Sequence, residues 1–102
     1  MSRKSKKIRP PIHPGAILLE DFLKPLSISA NKLARELRVP PNRIIKIVNG
    51  ERGITADTAL RLARFFNMTP DFWMNLQSHY DLERAQDEIA EAIERDVRPR
   101  AA

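Results

Sequence analysis

With 102 residues, 42% of them hydrophobic and 30% charged, the chain has room for one core and the composition of an ordinary water-soluble globule. No run approaches the ~20 apolar residues of a membrane span, and the absence of cysteine excludes a disulfide framework or a thiolate metal site. The net charge of +5 is unevenly spread: residues 1–9 hold five basic residues and no acid, 29–64 eight basic against three acidic, and 65–102 four basic against eight acidic. Such a split predicts a polyanion at one end and a different partner at the other, or else a basic solvated tail and an acidic solvated helix.

Residues 1–12 are polar, basic and punctuated by prolines, and read as a mobile basic arm. No apolar run of signal-peptide kind follows, so a cytoplasmic location is expected. A first helix begins around His13-Pro14-Gly15, with Pro14 suited to its first turn; Ile17, Leu18, Phe22 and Leu26 form its apolar face and Pro25 stops it. Ser29 caps a second helix with Leu33, Ala34 and Leu37 on one face. A third runs from Pro41 to Asn49 with Ile44, Ile47 and Val48 inward, ended by Asn49-Gly50, both tolerant of the left-handed conformation.

Thr55 caps a fourth helix that buries Ala59, Leu62, Ala63 and Phe66. Thr69, a cap followed by Pro70, starts a fifth that buries Phe72, Trp73, Leu76 and Tyr80. From Leu82 to Val97, the residues Leu82, Ala85, Ile89 and Ile93 recur at three- and four-residue steps, with Glu83, Asp87, Glu88, Glu91 and Glu94 on the outer face. No strand signal and no repeat stands out. The expected fold is all-α: a compact five-helix domain over 13–80 with an acidic helical extension over 81–102.

Helices two and three are separated only by Arg38, Val39 and Pro40, the spacing of a DNA-binding helix-turn-helix over residues 29–49. Ala34 is small where the third helix must approach closely. The turn commonly has glycine where this chain has Arg38, and an arginine at positive φ costs roughly 1–2 kcal/mol. Pro40 offers no capping side chain, and Pro41 compensates because its φ is already helical and it has no N–H to leave unsatisfied.

The outer face of the third helix carries Asn42, Arg43, Lys46 and Asn49. Arg43 suits the guanine edge and Asn42 adenine, whereas Lys46, Lys32 and Arg52 suit phosphates. Ser29 and Asn31 can present backbone N–H groups and side chains to a phosphate at the start of the second helix. The alternative for this face is a merely solvated set of charges.

The segments HPGAILLEDFL, LARELRVPPNRIIKIVNGERGITADTALRLARFF and TPDFWMNLQSHYDL, spanning about Ile12 to Leu82, resemble the HigA (VapI) group of antitoxins in the Xre-type helix-turn-helix superfamily. The resemblance implies a lambda-repressor-like fold and a protein that neutralises a HigB (RelE-like) mRNA endonuclease and, as a dimer, binds the inverted repeat of its own operator to repress transcription. It places the DNA contacts on residues 29–49, Pro41 included, flanked by Arg52 and Thr55. Toxin contacts do not transfer, and some close relatives act as solitary regulators without a toxin.

Enzymatic readings are weak. His13, at a helix start, and His79, at a helix end beside Tyr80 and Asp81, belong to no metal-spaced or nucleophile-spaced cluster. Phe72-Trp73 reads as core, and three glycines make no phosphate loop. No enzyme, cofactor, metal or membrane association is expected. Three functions remain: an antitoxin that is also an autorepressor, a standalone regulator, and more remotely a non-specific nucleic-acid coating protein. For residues 81–97 the choices are a helix on the chain's own core, a dimer seam and a toxin-facing segment.

Overall fold

The computed structural model describes residues 10–101, so the arm expected over residues 1–12 lies largely outside the described part. Helix α1 occupies residues 14–26 in three contiguous segments, α-helical over Pro14–Ile17, π-helical over Leu18–Leu23 and α-helical again over Lys24–Leu26. It is followed by α2 (Ala30–Leu37), α3 (Pro41–Val48), α4 (Ala56–Phe66) and α5 (Pro70–Asp96), with no strand among the described residues.

The π stretch has a local cause. Pro25 has no N–H to give Asp21, and in a regular α-helix its ring would meet that residue's carbonyl. The wider turn before it, closed by Lys24 N–H donating to the Leu19 carbonyl, relieves the conflict. The helix therefore passes Pro25 instead of stopping there, and ends after Leu26 at Ser27, whose φ is 55°. The extra residue per turn also changes the buried face. Leu18 and Leu23 would lie about 140° apart on an α-helix, yet both are buried. Leu26, which α-helical spacing turns inward, is left 54% exposed.

Four helices end alike. Ser27, Arg38, Gly50 and Asn67 take positive φ, and the following N–H reaches back five residues: Ile28 to Leu23, Val39 to Ala34, Glu51 to Lys46 and Met68 to Ala63, at 2.8–3.0 Å. The left-handed residue after α3 is Gly50 alone, since Asn49 stays right-handed at φ −81°. The three non-glycine residues each accept a cost of roughly 1–2 kcal/mol. Ile28, Val39 and Met68, next along the chain, pack against the core and offset it.

Helix starts are of two kinds. The Ser29 and Thr55 hydroxyls accept hydrogen bonds from Lys32 N–H at 3.0 Å and Thr58 N–H at 3.4 Å. Pro40 and Thr69 make no side-chain cap, and in both cases proline follows at the first helical position. The side-chain cap expected of Thr69 is absent.

Leu18, Leu33, Ala34, Ile44, Ile47, Ala59, Leu62 and Trp73 are fully buried and draw the five helices together. The Phe22 ring lies 4.9 Å from Phe66 and 5.0 Å from Trp73, at centroid distances that add favourable ring contacts to area burial. Phe72, expected inside, is 38% exposed, and Val48, Phe66, Leu76 and Tyr80 are only partly covered.

Helix α5 is unbroken through Tyr80 and Asp81. A helix of its 27 residues is about 40 Å long, and the radius of gyration of 16.9 Å exceeds the roughly 13 Å of a compact chain of this length. Its distal half projects from the body. Leu82, Ile89 and Ile93 are exposed, so the extension does not fold onto the chain's own core.

Candidate nucleic-acid interface

The helix-turn-helix is built from the core outward. Ala34, Leu33 and Leu37 on α2 meet Ile44 and Ile47 on α3, all buried, and Val39 closes the turn. Against the inner end of α3 lies Gly15, where an added Cβ would stand 1.7 Å from the Ile47 carbonyl oxygen. Only glycine permits that approach of α1 to α3.

The outer surface then follows. Asn42 and Lys46 are exposed on α3, Asn49 caps its end, and Pro41 is exposed at its start. Ser29, Asn31 and Lys32 are exposed at the start of α2, and Arg52 and Thr55 in the loop leading to α4. The side chains of Asn31, Asn42, Lys46, Asn49 and Arg52 have no hydrogen-bond or ionic partner among the described residues. The others are engaged: Ser29 and Thr55 in caps, and Lys32 with Glu36 at 3.6 Å.

Arg43 differs from its neighbours on α3. Its side chain is 27% exposed, and Nη1 donates to Asp57 Oδ1 in the first turn of α4 at 2.6 Å. The same oxygen accepts from Arg61 Nε at 2.7 Å, and Arg61 Nη1 donates to the Leu37 carbonyl at the end of α2 at 2.8 Å. The Arg61 and Arg43 guanidiniums, in that order of effect, hold the Asp57 carboxyl below the usual carboxylate range. Neither Asp57 nor Arg61 stands out in the sequence as part of the site. Their i,i+4 spacing is a legible helix pair, but nothing local connects either to Arg43.

The loop between α3 and α4 is held from two sides. Gln77 of α5 accepts Ile54 N–H at 2.7 Å. His13 accepts Gly15 N–H at 2.8 Å through Nδ1, lies edge-on to the Tyr80 ring at 4.8 Å and sits against the backbone of Arg52. Burial is the largest influence on His13 and keeps its pKa below the ordinary value, so the ring is neutral where it acts as an acceptor.

Two close-packed helices joined by three residues, the second presenting amide and basic side chains to solvent, define a DNA-binding helix-turn-helix protein. The helix-turn-helix family model matches residues 19–73. Virulence-associated protein I of Dichelobacter nodosus is 53% identical over 81 residues, 79% of this chain and 75% of that protein. An addiction module antidote protein of the HigA family from Coxiella burnetii has a TM-score of 0.85 at 51% identity, over 90% of this chain and all of that one. Pseudomonas aeruginosa antitoxin HigA with the higBA promoter has a TM-score of 0.87 at 45% identity, over 89% of this chain and 99% of that one. The chain belongs to the helix-turn-helix family and, within it, to the HigA (VapI) antitoxins.

Proposed function

We propose that this protein is a cytoplasmic antitoxin without enzymatic activity that neutralises a HigB/RelE-like mRNA endonuclease. As a dimer it binds the inverted repeat of its own operator and represses transcription. The observation that carries the DNA-binding part is the close match of the whole helical body to an antitoxin HigA held with its promoter, together with the free amide and basic side chains on α3.

In this reading α3 enters the major groove. Asn42 and Arg43 meet base edges, with Pro41 and Asn49 at the ends of the contact. Lys32, Lys46 and Arg52 neutralise phosphates, and Ser29, Asn31 and Thr55 line the backbone path. Two copies present their α3 helices about 34 Å apart to successive major grooves. The distal half of α5 is the toxin-facing element: it exposes Ile89 and Ile93 beside Asp87, Glu88 and Glu91, a surface suited to a basic ribonuclease.

The test is binding, by fluorescence anisotropy, to a duplex from upstream of the protein's own gene and to a scrambled duplex of equal length. The upstream duplex should bind more tightly. Lys46→Ala should weaken both alike and reduce the slope of log K against log salt by about 0.9. Equal affinity of the unaltered protein for the two duplexes would overturn the reading.

A further inference from the structure

The Arg43–Asp57–Arg61 chain lies where the recognition helix meets the rest of the domain, and reading α3 as the base contact does not by itself explain it. An arginine on a helix surface usually samples many rotamers and meets a phosphate as readily as a base. Arg43 does not have that freedom, because one guanidinium nitrogen is committed to Asp57 at 2.6 Å. The carboxylate is itself anchored: Arg61 holds the same oxygen at 2.7 Å and is tied to the carbonyl of Leu37 at 2.8 Å. Asp57 is thereby positioned relative to both helices of the motif.

A guanidinium has five N–H donors in a fixed fork. With Nη1 taken, the edge formed by Nε and Nη2 is still free, and two parallel donors are what the O6 and N7 of guanine accept. We propose that Asp57 is a specificity-determining positioning residue that turns Arg43 from a general cation into a reader of guanine. Two features work together. The anchor lowers the entropy lost when the arginine engages a base. The adjacent carboxylate repels phosphate oxygens, so Arg43 contributes little to sequence-independent binding. The inference rests on α3 being the DNA-facing helix.

The experiment selects duplexes from a random-sequence pool with the unaltered protein, then measures its affinity for the enriched and for scrambled duplexes, and for every single-base variant of the enriched one. Asp57→Asn, which removes the charge at nearly constant shape, should lower the preference for the enriched duplex about tenfold, near the lower end of what one bidentate base contact discriminates. The loss should fall on the same G·C position that Arg43→Lys affects. In the Arg43→Lys background, Asp57→Asn should change that position no further.

Asp57→Ser, also tolerated in a first helical turn, provides a second variant, and Trp73 fluorescence verifies that each protein is folded. Equal losses on enriched and scrambled duplexes, or additive losses at different base positions, would overturn the inference and leave the DNA-binding reading standing. If the unaltered protein enriches no sequence at all, the DNA-binding reading itself falls, and this inference with it.

Discussion

Gln77 and Ile54, 23 residues apart, are joined by a 2.7 Å hydrogen bond in which the side-chain oxygen of Gln77 accepts the backbone N–H of Ile54. The same amide donates to Asp81 at 3.0 Å. A side chain at Gly53 would press on it from the other side, since an added Cβ would lie 3.0 Å from its nitrogen. The middle of α5 thus sets the loop that carries Arg52 and Thr55 beside α3.

Gln77→Ala leaves the N–H of a buried residue without its partner. A loss of about 1–3 kcal/mol is expected, equivalent to a fall in melting temperature of roughly 4–8 °C per kcal/mol. The buried Trp73, the single tryptophan of the chain, reports the transition by fluorescence. Gln77→Glu keeps the acceptor oxygen but sets a second carboxylate against Asp81 where the amide donated, so it should recover only part of the loss. A Gln77→Ala protein with an unchanged midpoint would show that the loop is fixed by other contacts.

Gly15→Ala tests the approach of α1 to α3. The new methyl would overlap the Ile47 carbonyl, whose oxygen and carbon lie 1.7 and 2.6 Å away. Backbone must move, at a cost of about 1–3 kcal/mol or more, read from urea denaturation. Because the displaced element is α3, the helix proposed to enter the groove, operator affinity should fall even at temperatures where the variant is fully folded. Retention of both stability and affinity would contradict this packing.

His13 makes stability depend on pH. Its pKa is lowered from 6.5 in the folded protein, mainly by burial, so the unfolded chain binds the proton more readily. Its full contribution is present above about pH 6.5 and falls as the pH drops from there towards the folded value. His13→Asn retains an acceptor at the helix start and removes the titration. The variant's melting temperature should vary less with pH in that window, while a separate decline below about pH 4 remains as Asp57, lowered from 3.8, is protonated. A pH profile identical in the two proteins would remove His13 as the cause.

Truncation after Asp81 separates the two ends of the molecule. It keeps the Gln77–Asp81 bond and the helix-turn-helix, and removes the exposed Leu82, Ile89 and Ile93 with their acidic neighbours. Toxin capture should weaken more than it does on replacing Arg43 and Lys46 by Ala, which should chiefly lower operator affinity. Mass in solution distinguishes a lost dimer seam, which would also reduce DNA binding because a dimer gains from two linked half-sites. Full-affinity toxin binding by the truncated chain would exclude the extension as the toxin site.

What the sequence determined by itself is everything carried by neighbours along the chain. Ser29 and Thr55 are helix caps, Pro41 and Pro70 open helices, Gly50 ends one, and Leu33, Ala34, Leu37, Ile44 and Ile47 share an inner face, because capping, proline geometry and helical period act over four residues or fewer. Arg38, standing where such turns commonly have glycine, takes the left-handed conformation expected there at φ 61°. Tertiary structure decided what depends on distant partners or on summed register. The π turn before Pro25 exchanged Leu26 for Leu23 in the core, a change no regular period contains. Arg43 found Asp57 fourteen residues on, Arg61 found Leu37 across twenty-four, and Gln77 found Ile54 across twenty-three. Each of these bonds forms only once the core has brought groups from separate helices within 3 Å, which is why the exposed amide and basic side chains of α3 were readable and the connections behind them were not.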